Sequence, residues 1–250
     1  MVDRVVIITG GSKGIGAGIA RHLGSLGIAV TITARREERL LATAAELEAA
    51  GVAVLPIAIN VADRDGARHV VERTIERFGR IDGLVNNAQS FRPVMPLEDV
   101  LASDMDLLFD TGPKGTLWAM QAVFEPMKAQ GSGRIVNFGS VMGVRGSPGY
   151  GPYGASKEAI RALTRIAAQE WGRYGILVNC VCPASAGHRL PPDDPMRRAG
   201  FEAMYKDHPL GRDGDAERDI APVVAFLLSE ECRYLTGETL LVDGGGYMRA

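Results

Sequence analysis

An apolar run, Val5-Val6-Ile7-Ile8-Thr9, passes directly into Gly10-Gly11-Ser12-Lys13-Gly14-Ile15-Gly16, and a helical apolar period (Ile15, Ile19, Leu23, Leu26) begins inside that turn. A strand that turns on glycine straight into a helix opens a βαβ unit. The alternation continues down the chain. Strand-like segments fall at Ile28–Thr33, Val52–Ile59, Leu84–Asn86, Arg134–Phe138, Ile176–Val181 and Thr239–Val242. Helix-like segments fall between them at Glu37–Ala50, Asp65–Phe78, near Leu101–Phe109, Gly115–Gln130, Tyr153–Tyr174 and near Ala216–Leu228. Right-handed crossovers then place the strands in a parallel sheet with helices on both faces, an α/β doubly wound fold of Rossmann type.

No Ser/Gly/Pro-rich linker and no internal repeat divides the chain, so residues 1–250 read as one domain. The least regular stretch, Pro183–Arg212, holds Pro183, Pro191, Pro192, Pro195 and Pro209. Proline interrupts helix and ladder bonding, and a loop this long reads as a substrate lid, with room for a short helix near Phe201–Lys206.

With 28 basic and 30 acidic residues the formal charge is −2, which argues against nucleic acid as a partner. No apolar run reaches membrane-spanning length, and Met1–Arg4 enters a strand without a signal-peptide pattern. Three cysteines, Cys180, Cys182 and Cys232, fit reduced thiols in a cytoplasm and burial as small hydrophobes.

The glycines of the first turn let the backbone approach a pyrophosphate at the positive end of the helix. Candidate dinucleotide contacts are Gly10, Ser12, Lys13, Gly14, Ile15 and Gly16. At the end of the second strand a carboxylate would hold ribose hydroxyls and a base would hold a 2′-phosphate. Ala34-Arg35-Arg36 supplies two guanidiniums and no acid, which favours NADP(H) over NAD(H). The alternative is that Arg35 and Arg36 only solvate the start of a helix.

Tyr153 and Lys157 are four residues apart, on one helix face. An ammonium beside a phenol stabilises phenolate, which makes Tyr153 a usable acid for a carbonyl or base for an alcohol. Ser140, past the strand Arg134–Phe138, can offer a hydroxyl to the same oxygen. His22, His69 and His208 are scattered without ligand spacing, so no metal site is expected.

Together these residues give the chain a resemblance to the short-chain dehydrogenase/reductase family in its single-domain form. It runs from Arg4 to Gly246 and rests on the Thr9–Gly16 turn, Asn86-Asn87-Ala88, Ser140, Tyr153 with Lys157, and Asp243-Gly244-Gly245. The resemblance implies seven strands and hydride transfer between nicotinamide and a carbonyl or alcohol carbon. By position it implies Tyr153 as proton donor, Ser140 polarising the substrate oxygen, and Lys157 on the nicotinamide ribose. Asn60 and Val61 would lie by the adenine and Asn87 and Ala88 by its ribose. Pro183, Ala186 and His188 would contact the cofactor past the sixth strand. A homotetramer, or homodimer, is implied as well.

The chain departs from the family pattern at four places. Gln89 follows Asn86-Asn87-Ala88 where glycine is usual, and Gly112 stands where an active-site Asn is usual, with Pro113 supplying a bend. Pro183-Ala184 replaces Pro-Gly, with His188 in place of a Thr, and Asn60 replaces an acid. His188 either hydrogen-bonds the cofactor or faces solvent from the lid. Gln89, Met142 and Tyr150 are substrate-pocket candidates.

The expected function is an NADP(H)-dependent reductase of ketones or aldehydes, reversible as an alcohol dehydrogenase. A 3-oxoacyl thioester reductase is an alternative, with Arg189, Arg197, Arg198 and Lys206 of the lid as carrier contacts or as merely solvated charges. A weakly catalytic dinucleotide-binding regulator, suggested by Gly112 and Gln89, is the alternative from another class.

Overall fold

The computed structural model describes residues 3–92, 94–185 and 205–248. Seven strands form one parallel sheet in the order β3-β2-β1-β4-β5-β6-β7. They are β1 (Val5–Thr9), β2 (Ala29–Ala34), β3 (Val54–Ala58), β4 (Gly83–Asn86), β5 (Gly133–Phe138), β6 (Ile176–Pro183) and β7 (Thr239–Val242). The order reverses between β1 and β4. The register pairs Thr9 with Thr33 of β2 on one side and with Asn86 of β4 on the other, so those three strands end level.

The helices are α1 (Gly14–Ser25), α2 (Glu37–Ala49), α3 (Arg64–Phe78), α4 (Ala102–Phe109), α5 (Gly115–Gln130), α6 (Val141–Arg145), α7 (Gly151–Trp171) and α8 (Ala221–Leu228). Side chains alternate across the strands and so feed two cores. Val6, Ile8, Val30 and Ile32 pack with Ile19 and Leu23 of α1, Leu40 and Leu47 of α2, and Val224 and Leu227 of α8. Ile7, Leu84, Ile135 and Val178 pack on the other face with Val70 of α3, Val123 and Met127 of α5, and Ala167 of α7. β1 is fully buried because both faces are covered, which is why its sequence is continuously apolar rather than alternating.

Several expected boundaries shift. The long helix starts at Gly151, two residues before Tyr153, and ends at Trp171, followed by a single 3-10 turn to Tyr174. Residues 141–145, assigned to no strand or helix from the sequence, form α6, because Ser140 caps that turn: its Oγ accepts from Met142 N at 3.2 Å. The expected helix over 216–228 opens with a π turn, Ala216–Ile220. A second π turn, Asp110–Lys114, carries Gly112-Pro113 and joins α4 to α5, so the bend expected at Pro113 is a local widening. No helix of the described residues is long and apolar enough to cross a membrane.

Candidate active site

Beyond the C-terminal ends of β1, β2 and β4 lies a cleft of about 640 Å³. Gly10, Ser12, Lys13, Ile15, Arg35, Arg36, Val61, Asn87, Ala88 and Gln89 line it, which brings together most of the residues expected at a dinucleotide. Gly14 and Gly16 serve the turn instead of the lining. Gly14 has φ +53°, a left-handed conformation that disfavours side chains, and a Cβ on Gly16 would collide with the Gly10 carbonyl.

Asn87 bolts this turn in place. Its Nδ2 donates to the carbonyls of Thr9 at 2.9 Å and Gly10 at 3.2 Å, while Thr9 Oγ1 accepts from the backbone N–H groups of Asn87 and Ala88, both at 3.1 Å. From the other side Thr43 Oγ1 donates to the Ser12 carbonyl at 3.1 Å. Asn60, expected beside the adenine, is exposed and does not line the cleft; its Oδ1 accepts from Ala62 N at 3.2 Å and shapes the turn after β3.

The cations of the cleft are Lys13, Arg35, Arg36, Arg39 and Arg92. No Asp or Glu among the described residues lines it. Arg92 pairs with the nearly buried Asp104 at 3.0 Å, whereas Lys13, Arg35, Arg36 and Arg39 have no carboxylate partner among the described residues. Arg39 escaped the sequence reading, although its position four residues beyond Arg35 was the available signal.

None of the acid–base candidates lines this cleft; Tyr153 touches Phe91, which does, and borders a smaller hollow beside it. Tyr153 is half-buried in the first turn of α7. Lys157 is buried, and its Nζ donates to the Phe138 carbonyl at the end of β5 at 2.8 Å and stands 5.7 Å from the centre of the Tyr153 ring. Ser140 is also buried, at the N-cap of α6, and α6 packs on α7 where Gly143 meets Gly154. Because its oxygen is already accepting from Met142 N, its O–H is directed elsewhere. A buried polar chain, Asn86 Nδ2 to Asn137 Oδ1 at 2.9 Å and Asn137 Nδ2 to Thr164 Oγ1 at 3.0 Å, ties β4 and β5 to α7 behind these groups.

An aromatic cluster borders Tyr153. The Phe91 ring meets Tyr153 edge-on at 5.4 Å, and Tyr150 lies 6.3 Å from both rings. Phe91 lines the large cleft, while Tyr150 and Tyr153 border a smaller hollow with Met95, Gly149 and Pro152. Phe91 was not singled out in the sequence because a lone aromatic in a loop carries no pattern. Gln89 lines the large cleft and also reaches α4 and α7, its Nε2 donating to Ser156 Oγ at 2.7 Å and to the Leu108 carbonyl at 3.3 Å. Met142 is half-buried in α6.

Pro183 ends β6, paired with Val242, and does not line the cleft. Ala186, His188, Arg189, Arg197 and Arg198, most of the expected lid at 183–212 and the start of its expected short helix lie outside the described residues. The described end of that segment is anchored: His208 Nε2 lies 2.7 Å from the Asp243 carbonyl, and Tyr205 Oη donates to Asp213 Oδ1 at 2.7 Å. Burial, then the Asp213 bond, raises the Tyr205 phenol well above its ordinary range. Cys180, Cys182 and Cys232 are buried and unbridged.

A family model described as enoyl-(acyl carrier protein) reductase, one of the short-chain dehydrogenase/reductase models, matches residues 10–247. The chain belongs to the short-chain dehydrogenase/reductase family. Among curated short-chain dehydrogenases/reductases, 12α-hydroxysteroid dehydrogenase of Clostridium sp. is 38% identical over 249 residues, covering 97% of this chain and 96% of that one. Levodione reductase of Leifsonia aquatica is 37% identical, covering 97% and 94%. The 3-oxoacyl-(acyl-carrier-protein) reductase FabG of Staphylococcus aureus is 37% identical, covering 99% of each chain. The crystal structure of levodione reductase superposes with a TM-score of 0.89 at 35% identity, covering 98% of each chain. The protein is thus a short-chain oxidoreductase whose curated relatives act on ketone and alcohol substrates.

Proposed function

We propose that the protein is an NADP(H)-dependent reductase of ketones, reversible as a secondary-alcohol dehydrogenase, acting in the cytoplasm as a homotetramer or homodimer. The observation that carries the cofactor choice is the cleft itself: Lys13, Arg35, Arg36 and Arg39 line it and, among the described residues, no carboxylate does. Four cations without acidic partners among the described residues suit a 2′-phosphate, and β2 ends on Ala34-Arg35-Arg36 with no acid to pair with free ribose hydroxyls. The first-turn glycines, with the N-terminus of α1 behind them, suit the pyrophosphate.

When bound, the nicotinamide supplies the hydride to the carbonyl carbon. Tyr153 delivers its phenolic proton to the carbonyl oxygen, and the Ser140 hydroxyl donates to that same oxygen as negative charge grows on it. Lys157, held by the Phe138 carbonyl, keeps a positive charge near the phenolate that proton delivery leaves. Phe91 and Tyr150 give the substrate an aromatic wall, which suits a compact, ring-bearing ketone over an extended polar one.

The similarity to the Staphylococcus aureus protein supports a second reading, a 3-oxoacyl thioester reductase. The test is oxidation of NADPH and of NADH against cyclic ketones, aldehydes and 3-oxoacyl thioesters. The main reading expects turnover of cyclic ketones with NADPH preferred. Turnover confined to acyl thioesters selects the second reading, and NADPH binding without any turnover selects a regulator.

A further inference from the structure

Gly112 is not among the glycines with positive φ, so its backbone does not demand glycine. What demands it is space. A Cβ on residue 112 would lie 2.7 Å from Gln89 Nε2 and 3.0 Å from its Cδ. The carboxamide of Gln89 occupies the volume in which a side chain from position 112 would sit.

That carboxamide is committed to two partners. In the π register the N–H of residue 113 would serve the Leu108 carbonyl, but residue 113 is proline and has none. Leu108 O accepts instead from Gln89 Nε2 at 3.3 Å. A carbonyl only accepts, so this bond fixes which end of the amide faces α4. The same Nε2 donates to Ser156 Oγ at 2.7 Å, and Ser156, fully buried, donates to the Tyr153 carbonyl at 2.8 Å. Gln89 Oε1 is buried without a donor among the described residues, so the polar link of this side chain runs through Nε2 alone.

We propose that Gln89 and Gly112 are a space-exchanged pair, and that Gln89 is a positioning residue holding the Tyr153 turn of α7 to the widened α4–α5 junction. The role in turnover rests on the assignment of Tyr153 as proton donor; the exchange of space does not. Gln89→Ala removes the link. Gln89→Glu keeps the volume but replaces the donor by an acceptor, which suits neither the Leu108 carbonyl nor a Ser156 hydroxyl already donating to Tyr153. Gly112→Asn must drive Gln89 off both partners. In the double variant Gln89→Ala/Gly112→Asn, an amide returns to the same volume from the other side.

The experiment is thermal unfolding and steady-state kinetics on the wild type, the three single variants and the double variant, with Tyr153→Phe as the catalytic control. Gly112→Asn is expected to lower Tm by about 3 °C or more, and the double variant to recover most of that loss. Gln89→Ala and Gln89→Glu are expected to lower kcat roughly tenfold with the KM for NADPH within about threefold, and the double variant to regain kcat. Additive Tm losses in the double variant overturn the exchange. A wild-type kcat in Gln89→Glu, or no regain in the double variant, overturns the positioning role. If Tyr153→Phe turns over like the wild type, the catalytic assignment fails instead, and the Tm cycle still decides the exchange.

Discussion

Lys157 Nζ is tied to the Phe138 carbonyl at the last residue of β5, across 2.8 Å in a buried setting. The bond lies at the strand end that leads through Ser140 into α6, so one contact sets α7 against the loop carrying Ser140. Lys157→Met keeps much of the stem and leaves that buried carbonyl unsatisfied, which costs about 1–3 kcal/mol. A lower Tm together with a loss of turnover is expected, measured by calorimetry and steady-state rates on the same preparation.

Tyr153→Phe preserves the edge-on ring contact with Phe91 and removes the phenolic proton. A positioned general acid contributes about 10²–10⁴-fold, so kcat should fall in that range. NADPH binding, followed by fluorescence titration, should remain at its wild-type strength.

Arg35→Ala and Arg39→Ala each remove one unpaired cation from the cleft. A charge-assisted phosphate contact contributes about 1.5–3 kcal/mol, so each should weaken NADPH roughly ten- to a hundredfold and leave NADH nearly unchanged. Titrations with both nucleotides at two salt concentrations check this; equal losses for the two would reassign the arginines to the surface.

Gly16→Ala introduces a Cβ against the Gly10 carbonyl and the Asn87 amide. Neither neighbour is free to withdraw, since Asn87 also holds Thr9. The expected outcome is a lower Tm and loss of both nucleotides alike, in contrast to the arginine variants.

Asp219 accepts from both terminal nitrogens of Arg212, at 2.5 and 2.9 Å, and from Asp215 N at 2.6 Å. The Arg212 hydrogen bond, with the Asp215 N–H behind it, holds its carboxyl at about 2, below the ordinary 3.8. The folded state therefore favours the ionised form. This contribution is complete above about pH 4 and fades as pH falls toward 2. The Tm gap between wild type and Asp219→Asn should be widest and nearly constant above about pH 4 and should narrow as pH falls from about 4 toward 2. A gap that does not change with pH would assign the effect to packing.

The strands and long helices were legible because their periodicity is physical: β1 reads as continuously apolar because both its faces are covered. The Thr9–Gly16 turn and the Tyr153–Lys157 pairing on one helix face were legible because they are local, within eight and five residues. What the sequence hid was non-local. Nothing near Gln89 says that its amide fills the space over Gly112, because the two meet only once the loop after β4 crosses the α4–α5 junction. Asn60 is a further case: nothing in the sequence says that its side chain accepts from Ala62 N and shapes the turn after β3, between the cleft-lining Ile59 and Val61. Helix α6 was invisible because a five-residue helix has too few turns to show a period; its Ser140 cap, its Gly146 C-cap and its packing on α7 stabilise it.

The strand order also has a consequence for the chain as it leaves the ribosome. β1 pairs with β2 almost at once, but its other neighbour, β4, begins only at Gly83. The nascent protein therefore exposes an apolar, unpaired strand edge through the synthesis of the intervening segment. Parallel pairing across such a separation is slow, and an open edge recruits other strands. Along the sequence β1 waits longer for β4 than any other strand waits for its partner in the sheet, and chaperone dependence should track that delay rather than the stability of the native fold.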